Sequence, residues 1–263
     1  MSQYILVPLP CGYCAACRRD KLNMWIDRLT FEASGKPSTF LTLTYDDKHL
    51  PPDRSVHLED WQRFHDRLRH KVDVKYKYFV TSEYGSQTFR PHMHACLIGL
   101  SWENFDTYQK IYDAWENKGF ISCSTLNPSR IRYCLKYISK EWKNEYKNDY
   151  ELRGLKPLFH TMSKGIGRAW LFKHADEILK NGGYFVNGKL RPIPRYYQDL
   201  LHLRDDLSPK DFIQYCEKYK EYNKVGKDYS PMFSHLPDSS FTDSARLLHL
   251  EKKELLDEFN TII

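Results

Sequence analysis

Two strand-like runs, KYKYFVTSEYG (75–85) and RPHMHACLIGL (90–100), follow one another across a short loop with no helix between them. Neighbouring strands joined so tightly pair antiparallel, which sets this chain apart from folds built on repeated strand–helix–strand crossovers. The pattern around the pair is regular. RRDKLNMWIDRLTFEASG places Leu22, Trp25 and Leu29 at helical spacing and stops at Gly35. STFLTLTYDD alternates as a strand does, and HLEDWQRFHDRLRHKV carries the stripe Leu58, Trp61, Phe64 and Leu68. SWENFDTYQKIYDAWENKG reads as a helix closed by Gly119, FISCST as a short strand, and SRIRYCLKYISKEWKN as a helix opening on a serine cap. The fold class expected is α+β, an antiparallel central sheet flanked by helices.

Beyond about residue 150 the periodicity weakens. Gly, Pro and basic residues crowd the segment from Gly154 to Tyr197, which includes a hairpin-like NGG-YFVNGK-LRPIP stretch. A polar helical region and a final amphipathic helix around SARLLHLEKKELLDEF are expected after it. The organisation is thus residues 1–150 as one domain with a cysteine-bearing start, and 151–263 as a basic segment with a helical C-terminal extension.

Charge narrows the class of partner. The net charge of +6 is unevenly spread: residues 121–200 hold 15 Lys and Arg against 7 Asp and Glu, an excess of +8. Tyr133, Tyr137, Trp142, Tyr146, Trp170, Tyr196 and Tyr197 lie within that block. Cations for phosphates and rings for bases suit a single-stranded nucleic-acid groove, although a solvated basic surface has the same composition. The start, MSQYILVPLPCGYC, has no basic segment and no long apolar segment of a signal peptide, and no run is long enough to span a bilayer. A cytoplasmic address and no membrane partner are expected.

Seven cysteines, an odd number, argue against a disulfide framework. Cys11, Cys14 and Cys17 form C-x2-C-x2-C, a spacing that suits zinc but shows no fourth ligand nearby. A metal–thiolate cluster and a set of reduced structural thiols both fit.

His92 and His94 alternate with Met93, so in a strand both imidazoles point to one face. Alone, such a pair is as compatible with two ordinary histidines as with a metal site. Glu83, at the end of the preceding strand, comes beside them if the two strands pair as a hairpin. Two imidazoles and a carboxylate leave positions open for water and phosphate oxygens, and suit Mg2+ or Mn2+ acting as a Lewis acid.

The helix SRIRYCLKYISKEW supplies a second constellation. With Tyr133 set at zero and about 100° per residue, Tyr137, Lys136, Lys140 and Arg130 all fall within about 60° of it. Ile131, Leu135, Ile138 and Trp142 occupy the opposite side, so the core-facing stripe leaves the tyrosines out. A phenol has an ordinary pKa of about 10, and neighbouring ammonium groups favour the phenolate that a nucleophile needs. Lys136 stands one turn from Tyr133 and Lys140 one turn from Tyr137. Thr42 and Thr44 share a strand face and either line the site or fill the sheet. Gly165, Gly167 and Trp170 form either a DNA-contacting loop with a stacking platform or an ordinary turn with a packed ring.

FLTLTY, RPHMHACLIG and YCLKYISK, in that order, resemble the three motifs of the HUH rolling-circle replication initiators. The similarity is closer to the initiators of small single-stranded DNA phages of the gokushovirus type, within the Microviridae. PCGYCAAC, SEYGSQTFRPHMH, MSKGIGRAW and FVNGKLRPIPRYY all match segments of that family, so the resemblance runs from about residue 9 to 197. Met93 stands where a bulky aliphatic or aromatic residue is more usual, but it faces away from the histidines.

The resemblance implies an RRM-like or ferredoxin-like HUH endonuclease fold within residues 1–150. It also implies nicking and rejoining of single-stranded DNA at a viral origin through a 5′-phosphotyrosine intermediate, in a bacterial host cytoplasm. Tyr133 and Tyr137 are then the nucleophiles, and Lys136 and Lys140 steady the phenolate, the leaving oxygen or the phosphate. His92, His94 and Glu83 hold the metal. Arg130, Arg132, Arg168 and Trp170 are candidate DNA contacts, Cys11, Cys14 and Cys17 candidate zinc ligands, and a host helicase or polymerase a candidate partner. Three rival readings are a non-catalytic single-strand-binding module, a plasmid relaxase or transposase, and a zinc-stabilised viral structural protein. Relaxases usually place the tyrosine ahead of the histidines, whereas here it follows.

Overall fold

The computed structural model describes residues 14–85, 87–141 and 149–201, with side chains of residues 15, 16 and 137–141 excepted. The chain divides into two compact units: Leu22–Ala169, and a second made of the segment up to Lys21 together with that from Trp170 onward. The helices expected near the C-terminus lie outside the described residues.

The elements follow the expected order: α1 (Ala15–Ala33), β1 (Ser38–Tyr45), α2 (Leu58–Lys71), β2 (Lys77–Tyr84), β3 (Pro91–Ile98), α3 (Phe105–Ala114), β4 (Gly119–Thr125) and α4 (Pro128–Glu141). β5 (His160–Met162) then adds an edge to the sheet, whose order is β4-β1-β3-β2-β5 with every pair antiparallel. The α+β class with an antiparallel central sheet is therefore what the chain adopts.

Period-two patterning decides which side of each strand is covered. Leu41, Leu43 and Tyr45 of β1, Val80 of β2, and Met93, Ala95 and Leu97 of β3 join one core with Trp61, Phe64 and Leu68 of α2 and Ile111, Ala114 and Trp115 of α3. The intervening residues Phe40, Phe79, Cys96 and Ile98 form a second core with Leu22 and Leu29 of α1 and Ile131, Cys134 and Leu135 of α4. Each large apolar side chain buried in these layers contributes about 1.5–3 kcal/mol. The sheet is thus sandwiched, and α4 lies across β2 and β3.

Two local expectations are corrected. α3 ends at Ala114, and the left-handed positions after it are taken by Glu116 and Asn117, not by a closing Gly119. Gly119 instead opens β4 at φ +148, where a Cβ would lie 2.2 Å from Thr44 O and 2.4 Å from Asp46 N. The cap of α4 is Asn127, not serine: its Oδ1 accepts the Arg130 N–H at 2.9 Å. Pro128 occupies the first helical position, where its fixed φ suits the helix and its missing N–H costs nothing.

The glycines of MSKGIG are held within the first unit. Lys77 Nζ donates to Gly165 O at 2.8 Å, Arg28 Nε to Ile166 O at 3.1 Å, and Gly167 N–H to the buried Glu32 at 2.8 Å. α5 (Arg168–Lys173) carries the chain into the second unit, where α6 (Ala175–Asn181), the hairpin of β6 (Gly183–Val186) and β7 (Lys189–Pro192), and α7 (Arg195–Leu200) follow. Asn187 and Gly188 turn the hairpin with φ values of +50 and +74, as a tight two-residue turn requires. No helix among the described residues is long and apolar enough to cross a membrane.

Candidate active site

The register of three strands assembles the site. Glu83 of β2 and Thr44 of β1 both lie opposite His92 of β3; Thr81 and Thr42 likewise flank His94. All of these side chains project from the face that α1 and α4 cover farther along the strands. Nε2 of His92 and Nε2 of His94 lie 3.0 and 3.1 Å from one oxygen of Glu83. The three ligand atoms fall within 4.8 Å of one another, a group able to hold a metal ion.

The surroundings of each ligand fit that use. His92 Nδ1 stands 3.0 Å from Arg90 O, and a carbonyl accepts only, so Nδ1 carries the proton and Nε2 is left to bind. His94 Nδ1 stands 3.0 Å from the Thr42 hydroxyl. Burial is the largest influence on His94 and holds its pKa below the ordinary 6.5, with the Glu83 carboxylate pulling the other way. A neutral imidazole is the form that binds metal. His94 and Glu83 are only 5% and 7% exposed, while His92 opens toward solvent.

Tyr133 is 43% exposed and directs its ring edge at His94, with centroids 5.1 Å apart and planes at 82°. The burial of Ile131, Cys134 and Leu135 turns the opposite side of α4 inward, as its helical pattern anticipates. Lys136 is half-buried one turn on. The side chains of Tyr137 and Lys140 lie outside the described residues. Arg130 donates to Thr125 O at 2.5 Å, and Arg132 and Arg168 are exposed. Trp170 stacks on His174 at 4.4 Å and meets Tyr184 edge-on within the second unit. Of the cysteine motif, Cys11 lies outside the described residues. Cys14 and Cys17 are free thiols at the start of α1, and the Cys17 N–H donates to Cys14 Sγ at 3.4 Å.

Three further groups belong to the site without having stood out in the sequence. Phe40 stacks on His94 at 5.7 Å and 11°, and meets Tyr133 edge-on at 6.1 Å. Cys134 Sγ reaches His94 O at 3.4 Å. Arg90 donates to Tyr45 O at 2.8 Å and pairs with Asp47, which fixes the backbone that orients His92. The signal for Phe40 was its parity with Thr42 along β1.

Comparison with known proteins agrees with this geometry. The family model for replication-associated proteins of the ORF2 type matches residues 38–142, the stretch from β1 to the end of α4. The chain is 30% identical over 239 residues to Replication-associated protein VP4 of Bdellovibrio phage phiMH2K, covering 82% of this chain and 73% of that protein. It is 25% identical over 263 residues to Replication-associated protein ORF2 of Spiroplasma virus 4, covering 89% and 79%. With Replication-associated protein ORF4 of Chlamydia phage 1 it shares 27% over 215 residues, covering 74% and 53%. No solved structure matches the chain. With similarity running along most of its own length and most of the first two relatives, the chain belongs to the replication-associated protein family of Microviridae-type phages.

Proposed function

We propose that this protein initiates and terminates rolling-circle replication of a phage genome by cutting and rejoining single-stranded DNA through tyrosine transesterification. The observation that carries the proposal is the convergence of Glu83, His92 and His94 on one sheet face with the exposed Tyr133 ring against His94. The relatives' names, all replication-associated proteins, support the replication role.

Glu83, His92 and His94 would hold the ion; Mg2+ or Mn2+ bound there supplies Lewis-acid polarisation of the scissile phosphate. The chain's own residues do the rest. His94 and Phe40 fix the Tyr133 ring from two sides, so its hydroxyl is presented to a phosphate beside the triad. Lys136 favours the phenolate. The tyrosine oxygen attacks phosphorus, the bond from phosphorus to the 3′-oxygen breaks, and that oxygen leaves as a 3′-hydroxyl after taking a proton. The 5′-phosphate stays on the tyrosine. One phosphoester replaces another, so a later 3′-hydroxyl reverses the step without ATP. Tyr137, one turn along α4, is the second nucleophile for a cut made while the first end is still held, with Lys140 its companion cation.

The test is a cleavage assay on labelled single-stranded circular DNA with Mn2+ or Mg2+, read by denaturing electrophoresis for a protein–DNA adduct. An adduct that survives Tyr133→Phe or Tyr137→Phe, is lost in the double variant, and is lost in His92→Ala with His94→Ala is the expected result. Tight strand binding with no adduct from any variant or the native chain would make this a binding module.

A further inference from the structure

Most large apolar side chains on the site face are covered by α1 or α4, but one ring at its edge is not. Phe120 of β4 is 71% exposed, although β4 pairs along its full length with β1. Its neighbours Ile121 and Cys123 turn to the opposite core, so Phe120 projects from the face that carries the histidines. The register is more specific still. Phe120 lies opposite Thr44, Thr44 opposite His92, and His92 opposite Glu83, a single row straight across the sheet. Phe120 and His92 are therefore two strand spacings apart, about 10 Å.

We infer that Phe120 is a stacking platform for an unpaired base of the DNA strand, next to the scissile phosphate at the triad. The inference rests on the proposed nicking reaction and adds a base-binding subsite to it. A ring standing free on a sheet gives every base a π face to lie on, a sequence-tolerant contact worth a large share of single-strand affinity. The separation along the row is within reach of the nucleotides flanking a phosphate held at His92. The rest of the row's surroundings are hydroxyls: Thr44 beside Phe120, and Thr42 and Ser122 in the next row. A lone ring among hydroxyls lacks the contiguous apolar surface that a second protein chain would need, whereas a nucleotide needs one ring and polar neighbours for its sugar and phosphate. Gly119 sets the ring's position, because its close approach to Thr44 lets β4 begin pairing at the level of the site.

The experiment measures binding of the full chain to a short single-stranded oligonucleotide and to an abasic strand of the same length, by fluorescence anisotropy. Phe120→Ala and Phe120→Leu, the second keeping apolar bulk without a π face, should weaken binding of the base-bearing strand about tenfold or more. Both should leave the abasic strand unchanged. Phe120→Trp should bind at least as tightly as the native chain, and Phe105→Ala, removing a ring 78% exposed on α3, should bind as the native chain does. Equal weakening on both strands, or no change on either, would overturn the platform. So would a change in light-scattering mass on Phe120→Ala without a change in DNA affinity, which would assign the ring to contact with a second copy. The adduct assay run in parallel separates the two readings. Base-dependent loss with no adduct from the native chain sinks the nicking reaction and keeps the platform; a normal adduct with unchanged binding does the reverse.

Discussion

The Thr42 hydroxyl stands 3.0 Å from Nδ1 of His94, on the strand directly alongside it. When Nε2 of His94 serves a metal, Nδ1 carries the proton and donates it to that hydroxyl, so Thr42 fixes both the tautomer and the plane of the ring. Thr42→Val keeps the shape and removes the acceptor. Mn2+ affinity measured by titration calorimetry should fall about 10- to 100-fold, Thr42→Ser should restore it, and the thermal midpoint should barely move. Unchanged affinity in Thr42→Val would mean that the Phe40 stack alone orients His94.

Much of this site was legible because a strand converts spacing into facing. His92 and His94 had to share a side, and a hairpin had to bring Glu83 beside them; the register does so. The side of α4 that carries Tyr133 was legible for the same reason, since Ile131 and Leu135 had to be buried. The serine cap of α4 was misjudged because Asn127 and Ser129 are both good capping residues; Pro128, which belongs at the first helical position, was the signal that decides between them. β5 escaped because three residues carry no period of their own and are placed by pairing with Phe79, Val80 and Thr81. The clamp on Gly165–Gly167 escaped because its partners, Arg28, Glu32 and Lys77, are far away in sequence.

Asn127 closes the first turn of the helix that presents Tyr133. Asn127→Ala should cost about 1 kcal/mol of stability, read from the urea midpoint, and Asn127→Asp should recover most of it. The same loss in both variants would show that Pro128 alone holds the helix start.

Gly119 has no room for a side chain. A Cβ would meet Thr44 O, Asp46 N and Tyr45 C at 2.2–2.6 Å, all backbone atoms of the strand it pairs with, and its φ of +148 strains any L-residue. Gly119→Ala should therefore destabilise the fold by about 3 kcal/mol or more and displace the site end of β4. Equilibrium urea unfolding checks the first effect. A change below about 0.5 kcal/mol would mean that β4 starts one residue later at little cost.

Glu32 gives the fold an acid-sensitive joint. Burial desolvates its carboxylate and raises the pKa, but hydrogen bonds from Lys36, Lys77 and the Gly167 N–H outweigh this and leave it below the ordinary 4.5. A depressed folded-state pKa favours the native state while the carboxylate is charged. That contribution is complete well above 4.5 and is lost as pH falls through 4.5 toward the lower folded value. Glu32→Gln should lower stability at pH 7 by about 1–3 kcal/mol, because the charged partners of Lys77 and Gly167 are gone. It should also flatten the decline in stability below pH 4.5, measured as urea midpoints across pH. A variant whose acid limb runs parallel to that of the native chain would place the sensitivity at other carboxylates, of which Asp60, held by Tyr45 and Lys118, is the next to test.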